Sequence, residues 1–404
     1  MGERLREWRR GWRTMGGALL SAGAGISIFG AVNGFFVKPL TAEFGWTRGQ
    51  ATLSSGAILL TALLMPALAA VVDRAGPRRV MLAGGVLFAA AYVALASMQG
   101  EIWMYAAIML LIGLTAGPAT ALLVVTRPLV AAFTHSRGLA ISAGMSGAVF
   151  VCLPLLPWLQ HLIATYGWRA GYLFMAPLSL VMGVAAFLLL PGRVAVAGAD
   201  VIEGGEGLSL REAIRQSRFW LLLLSTVAVS LVGGAFSTQL QPLLSDRGVP
   251  GVTAALFGSL YAGSVVAGRV IAGLMLDRLW SPAAGAICLA TASVGAVFFL
   301  LAGPDQTLLA VGVALVGAAA GAEADMMAFF AARYFGLRAF NAILGLLGMS
   351  FGLGIAFGGI GAGVLFDLEG SYDTMIRLAV GLGVVSAAAL LLSGLAGRRQ
   401  ASAT

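Results

Sequence analysis

Gly268-Arg269-Val270-Ile271-Ala272-Gly273-Leu274-Met275-Leu276-Asp277-Arg278 closes an apolar run that begins near Val252. The run is long enough to cross a bilayer as a helix. Arg269 lies roughly 12 Å short of its polar end. An arginine at that depth costs about 2.5–3.5 kcal/mol on insertion scales, and the nearest exit is already held by Asp277-Arg278. A residue kept against that penalty is a candidate binding group. The plain alternative is a structural arginine neutralised by a carboxylate on another helix.

The rest of the chain has the same character. Of its 404 residues, 59% are hydrophobic and 10% charged, with a mean hydropathy of +0.94. That composition excludes a soluble domain and predicts a polytopic all-α membrane protein. Twelve apolar runs fall at about 14–37, 50–72, 80–98, 102–126, 138–160, 169–191, 219–241, 253–276, 283–302, 307–331, 342–365 and 375–396. Each is long enough for a tilted transmembrane helix. The +8 net charge does not point to nucleic acid, because the basic residues fall in short clusters between apolar runs. Cys152 and Cys288 lie inside runs and imply neither a disulfide framework nor a metal site. No P-loop, catalytic triad or metal-ligand spacing is present. The chain is therefore expected to be no enzyme, to need no cofactor, and to draw energy from a gradient.

Orientation follows from the arginines. The even-numbered connections carry Arg74, Arg78 and Arg79; Arg137; Arg193, Arg211, Arg215 and Arg218; Arg278; and Arg333 and Arg338. The odd-numbered connections carry mostly acids, among them Glu43, Glu101, Asp246, Asp305, Asp367, Glu369 and Asp373. Both termini are expected in the cytoplasm, with residues 1–13 an uncleaved N-terminal segment and 397–404 a tail. The expected location is the inner (plasma) membrane. Trp46, Trp103, Trp168, Trp12, Trp220 and Trp280 fall at helix ends, as an aromatic belt would have them.

A long polar connection, 192–218, separates segment 14–191 from segment 219–396. Its first part reads as a flexible linker. Its second part reads as a short surface helix with Ser209 as N-cap and Glu212 at the third helical position, a capping box. The two segments repeat. Asp73-Arg74 closes the second run as Asp277-Arg278 closes the eighth. Arg137, Gly144 and Gly147 open the fifth run as Arg338, Gly345 and Gly348 open the eleventh. Two similar six-helix halves mark a transporter that rocks one half against the other.

Asp73-Arg74-Ala75-Gly76-Pro77-Arg78-Arg79 resembles the D-R-x-G-x-R-R loop of the major facilitator superfamily, with Ala69 where a glycine is usual. The resemblance implies two pseudo-symmetric six-helix bundles. It also implies a gating role for Asp73, Arg74, Gly76, Arg78, Asp277 and Arg278, with Asp73 set against the start of the eleventh helix near Asn341. Glu43-Phe44-Gly45-Trp46-Thr47-Arg48, Arg137-Gly138-Leu139-Ala140 and Tyr166-Gly167-Trp168-Arg169 resemble the monocarboxylate transporter and oxalate–formate antiporter branch. That branch carries an arginine spaced as Arg269 is from Gly273 and Asp277, which implies that Arg269 binds a substrate carboxylate. A planar, permanently charged guanidinium suits that task.

Two departures refine the expectation. The eleventh run has no lysine or arginine, which argues against a dicarboxylate. Val265 stands where proton-coupled relatives carry an aspartate, so a proton site must lie elsewhere. Glu323 and Asp325 are the only acids well inside a helix, and a carboxylate is expected to pair with Arg269 when no substrate is bound. Separated by two residues, they face nearly opposite sides. Lys38, the only lysine, and Asn33, Tyr261, Gln239 and Gln241 are further polar groups of cavity-lining helices by resemblance; each alternatively bonds only to a neighbour or snorkels. The expected function is secondary transport of a small organic anion, a monocarboxylate, with proton symport by alternating access, the chain working as a monomer. Anion exchange without protons and efflux of amphipathic or aromatic compounds are the alternatives.

Overall fold

The computed structural model describes residues 2–23, 25–120, 124, 128–129, 132–133, 140, 143–144, 147–191, 207–303, 305–336 and 338–401. Arg137, Gly138, Leu139, Arg193 and the linker stretch 192–206 lie outside them, as do the side chains of Ala69, Asp73, Asp277 and Asn341. The helices are α1 Gly2–Ala22, α2 Ile26–Phe44, α3 Arg48–Ala51, α4 Ser54–Ala75, α5 Pro77–Ala96, α6 Ile102–Leu111, α7 Gly117–Ala119, α8 Gly147–Tyr166, α9 Trp168–Leu189, α10 Leu210–Arg215, α11 Ser217–Asp246, α12 Gly251–Arg278, α13 Ser281–Ala302, α14 Gln306–Phe335, α15 Phe340–Glu369 and α16 Asp373–Ala401. Among the described residues, eleven spans are long and apolar enough to cross a membrane. The second expected run corresponds to α4, whose described apolar part is Ser54–Leu64. The chain divides into two compact units, residues 1–199 and 200–404.

In the first unit, the expected single helix at 14–37 is broken between Ala22 and Ile26. Gly25 lets the chain approach Thr120 closer than any Cβ would allow. The Ile26 N–H, orphaned by the break, donates to the Thr120 hydroxyl at 3.1 Å, which satisfies one of the free donors of a helix start. The helical segments begin at Gly2 and reach Phe44, so they extend past the apolar run at both ends. Hydropathy registers apolar length, and the small residues Gly23, Ala24 and Gly25 do not interrupt it. A π-helical turn, Ile112–Ala116, joins α6 to α7 just before Pro118, which has no N–H to donate. Gly76, at φ +82°, ends α4, and Pro77 opens α5 at its first position.

The second unit begins with the expected short helix. The Ser209 hydroxyl accepts from the Glu212 N–H, and the Glu212 carboxylate accepts from the Ser209 N–H. Those bonds from Ser209 hold the Glu212 carboxyl below its ordinary range. Leu208 N–H donates to the Phe335 carbonyl at 2.8 Å, tying this segment to the end of α14. Within the bundle, backbones meet through small residues. Gly268 lies against the Ala318 carbonyl, Gly317 against that of Tyr261, and Gly321 against that of Val265. Gly234 meets the Ile355 carbonyl, and Gly358 that of Leu231. Lipid is as apolar as leucine, so close approach of this kind, not apolar burial, associates helices in a membrane.

The tryptophan belt needs correcting. Trp12, Trp103 and Trp220 are exposed, but Trp46 and Trp168 are only 8% and 4% exposed. The indole of Trp46 donates to the Gly100 carbonyl and that of Trp168 to Glu43, so both are packed inside their unit.

The seam makes a direct prediction. A Cβ on Gly321 would collide with the Val265 carbonyl, whereas nothing lies within 4 Å of one on Gly273. Gly321→Ala is expected to destabilise by about 1–3 kcal/mol, and Gly273→Ala to be neutral or slightly stabilising. Thermal unfolding in detergent checks this; equal midpoints for the two variants would refute the seam.

Candidate functional site: a cation and two carboxylates in the second unit

The seam between α12 and α14 sets Arg269 level with the acids of α14. Tyr261 lies against Gly317 and Val265 against Gly321; continuing that register one turn brings Arg269 to Asp325. The charge of Arg269 acts on Asp325, which is partly buried. No hydrogen bond or ion pair joins Arg269 to either carboxylate among the described residues, against the expected pairing.

Arg269 is distinguished by what its guanidinium lacks. Three arginines among the described residues have a buried Nε with no hydrogen-bond partner: Arg78, Arg218 and Arg269. Arg78 lies over the Phe187 ring at 3.9 Å, and Arg218 over Tyr334 at 5.4 Å. Those contacts are cation–π in kind and supply part of the lost solvation. Among the described residues, Arg269 has no such ring.

Glu323 is 2% exposed. It faces away from Arg269, into the unit, as its two-residue separation from Asp325 requires. The Ser230 hydroxyl on α11 donates to its Oε1, while its Oε2 is buried without a partner. Tyr261 is close enough for the Glu323 charge to act on it. The Ser230 oxygen also lies 2.6 Å from the Thr226 carbonyl, so its single proton is shared between the two acceptors, and Gly354 of α15 packs on its Cβ. Sequence reasoning missed Ser230; nothing separates it from Ser225 or Ser237 on the same helix.

The remaining candidates are placed as follows. Gln239 is fully buried; its Oε1 accepts from the Tyr372 hydroxyl at 2.9 Å, and its Nε2 is buried without a partner. Asn33, buried, and Lys38, half-buried, lie on α2 in the first unit. Arg74 and Arg79 are exposed at the α4–α5 turn, and Arg278 is exposed at the end of α12.

The structure also joins two motifs that the sequence presents separately. Glu43, at the end of α2, takes the Trp168 indole N–H at 2.6 Å and the Arg169 guanidinium at 2.5 Å. Arg169 donates further to the Met98 carbonyl and lies over the Trp168 ring at 4.2 Å. The bonds from Trp168 and Arg169 hold the Glu43 side chain as a lock between α2 and α9, beyond the half-buried Lys38.

A double-mutant cycle tests the buried acid. Ser230→Ala is expected to destabilise by about 1–3 kcal/mol, because it strips Glu323 of a donor. The loss should largely vanish in a Glu323→Leu background; an undiminished loss there would sink the assignment of that bond.

Comparison with known proteins agrees with this architecture. The chain is 26% identical to monocarboxylate transporter 13 of Bos taurus over 393 residues, covering 95% of this chain and 87% of the relative. It is 28% identical to monocarboxylate transporter 11 of Homo sapiens over 243 residues, 58% of this chain and 50% of that one. Among solved structures, a D-xylose-proton symporter superposes with a TM-score of 0.71 at 15% identity, over 94% of this chain and 95% of that one. An inward-facing bacterial homologue of the human lysosomal transporter Spinster superposes with a TM-score of 0.68 at 16% identity, over 96% and 97%. The Major Facilitator Superfamily model matches residues 15–304, and the chain, a multi-pass membrane transporter and not an enzyme, belongs to that superfamily.

Proposed function

We propose that the chain carries a small monocarboxylate by alternating access, coupled to protons, with Arg269 as the group that binds the substrate carboxylate. The observation that carries the reading is the buried Arg269 Nε, which has no partner among the described residues. Arg269 sits in a membrane-spanning helix with a buried Nε that has neither a partner nor an aromatic face among the described residues. A permanently charged fork so placed is completed by an incoming carboxylate. The relatives named monocarboxylate transporters support that substrate class. The absence of a second cation from the 342–365 run favours one carboxylate over two. Tyr261 and Gln239, in the same unit, are secondary candidates for substrate contact, and Lys38 and Asn33 are the candidates on the first unit. The arginine asymmetry between connections supports cytoplasmic termini in a plasma membrane.

The proton site is assigned to α14. A carboxylate in hydrocarbon that loses its counter-charge holds a proton in preference to a bare charge. Asp325 feels Arg269; substrate arriving at Arg269 removes that support. Glu323 presents one bonded and one orphaned oxygen, and a proton on the orphan would relieve it. Substrate and proton binding are thereby linked with the sign a symporter needs.

Uptake into liposomes tests the reading. Arg269→Gln should abolish uptake with the fold intact. Arg269→Lys should weaken apparent affinity about tenfold to a hundredfold, the loss of a charge-assisted bidentate bond. Asp73→Asn, at the proposed gate, should slow turnover at unchanged affinity. Normal uptake by Arg269→Gln would end the proposal.

The proton assignment has its own test. With an imposed pH gradient, Glu323→Gln or Asp325→Asn should lose accumulation against a substrate gradient while keeping exchange. If both variants accumulate substrate as the wild type does, the proton site is not on α14 and exchange is the better reading.

A further inference from the structure

We propose that α1 carries a binding stripe for the phosphate groups of anionic phospholipids, formed by Arg6, Arg9, Arg10 and Arg13. Their spacing of three, one and three residues places all four on one face of the helix, and each is exposed. The opposite face is packed. Trp8 meets Phe133 at a ring distance of 4.9 Å, Gly11 abuts the same ring, and Met15 and Ala18 are buried. None of the four arginines makes an ion pair, hydrogen bond or ring contact among the described residues. Glu7, the acid within the stripe's length, lies off that face, half-buried and engaged elsewhere.

The partner follows from where the helix leads. Gly16 and Gly17 lie against Leu189, the last residue of α9, and Leu190, its C-cap, so the membrane face passes near residue 17. At the helical rise, Arg13 stands about 6 Å beyond that level and Arg10 about 10 Å. The headgroup layer is about 5–8 Å deep, and arginine side chains reach along a helix toward it. Trp12, 59% exposed, flanks the stripe as an interfacial anchor. Any membrane entered by α1 thus presents phosphates to unpaired guanidinium groups, which bind phosphate bidentately. Charge asymmetry across the membrane explains arginines on this side. It does not require four on one face without an acid partner.

The test uses the full chain in vesicles of phosphatidylcholine and phosphatidylglycerol. Spin-labelled lipids report which headgroup is held at the protein. Wild type should select phosphatidylglycerol over phosphatidylcholine about twofold or more, with the preference weakened in 0.5 M salt. Arg10→Gln with Arg13→Gln, which leaves Arg6 and Arg9 to direct insertion, should lose at least half of it; lysine at both positions should retain more. The tryptophan emission lost on Trp12→Phe isolates Trp12, which brominated phosphatidylglycerol should quench more than brominated phosphatidylcholine. An unchanged lipid preference in the glutamine variant, or equal quenching of Trp12 by the two lipids, overturns the proposal. So does binding of the stripe to a soluble polyanion such as heparin with no headgroup preference.

Discussion

The closest constraint in this molecule is the approach of α12 to α14, backbone against backbone. In lipid, apolar side chains gain little by meeting each other, so helices associate where small residues let main chains touch. Gly268, Gly317 and Gly321 provide that contact. The geometry of the charged groups depends on it. Had the two helices been held apart by leucines, the Arg269 and Asp325 charges would lie farther apart and interact less. The seam also decides which way Glu323 points: with Gly321 against Val265, a residue two positions on is turned toward α11, where Ser230 meets it.

Much of this was legible in the chain. Apolar length and arginine placement predict the helices, and the Ser209-x-x-Glu212 spacing predicts a cap whose bonds are local. Both signals survive because they involve only neighbours in sequence. The break between Ala22 and Ile26 was not legible, because its compensation comes from Thr120, 94 residues away. The same is true of Ser230 and Glu323, 93 apart, and of Glu43 and Arg169, 126 apart. The burial of Trp46 and Trp168 was misread for the same reason, since an interfacial tryptophan and a packed one look alike without their partners. The expected Arg269–carboxylate pair failed differently. It assumed that a buried charge must be neutralised by the best acid at its depth, whereas Glu323 is turned away and already bonded.

The chain draws nearly all of its positive charge from arginine, Lys38 being its only lysine. The structure shows what one side chain does in several surroundings. Over Phe187, Arg78 has a ring face to offset its lost water. In the lock at the end of α2, Arg169 shares its donors between a carboxylate and a backbone carbonyl. On α1, four arginines stand in the open. Each of these guanidinium groups has water, a ring or an acceptor to answer it. Among the described residues, Arg269 has a nearby charge and nothing bonded to it. In hydrocarbon an ammonium in that position would shed its proton or snorkel; a guanidinium keeps its charge and stays where the helix holds it. The incomplete shell of Arg269 is therefore the feature of the fold on which the proposed carboxylate site rests.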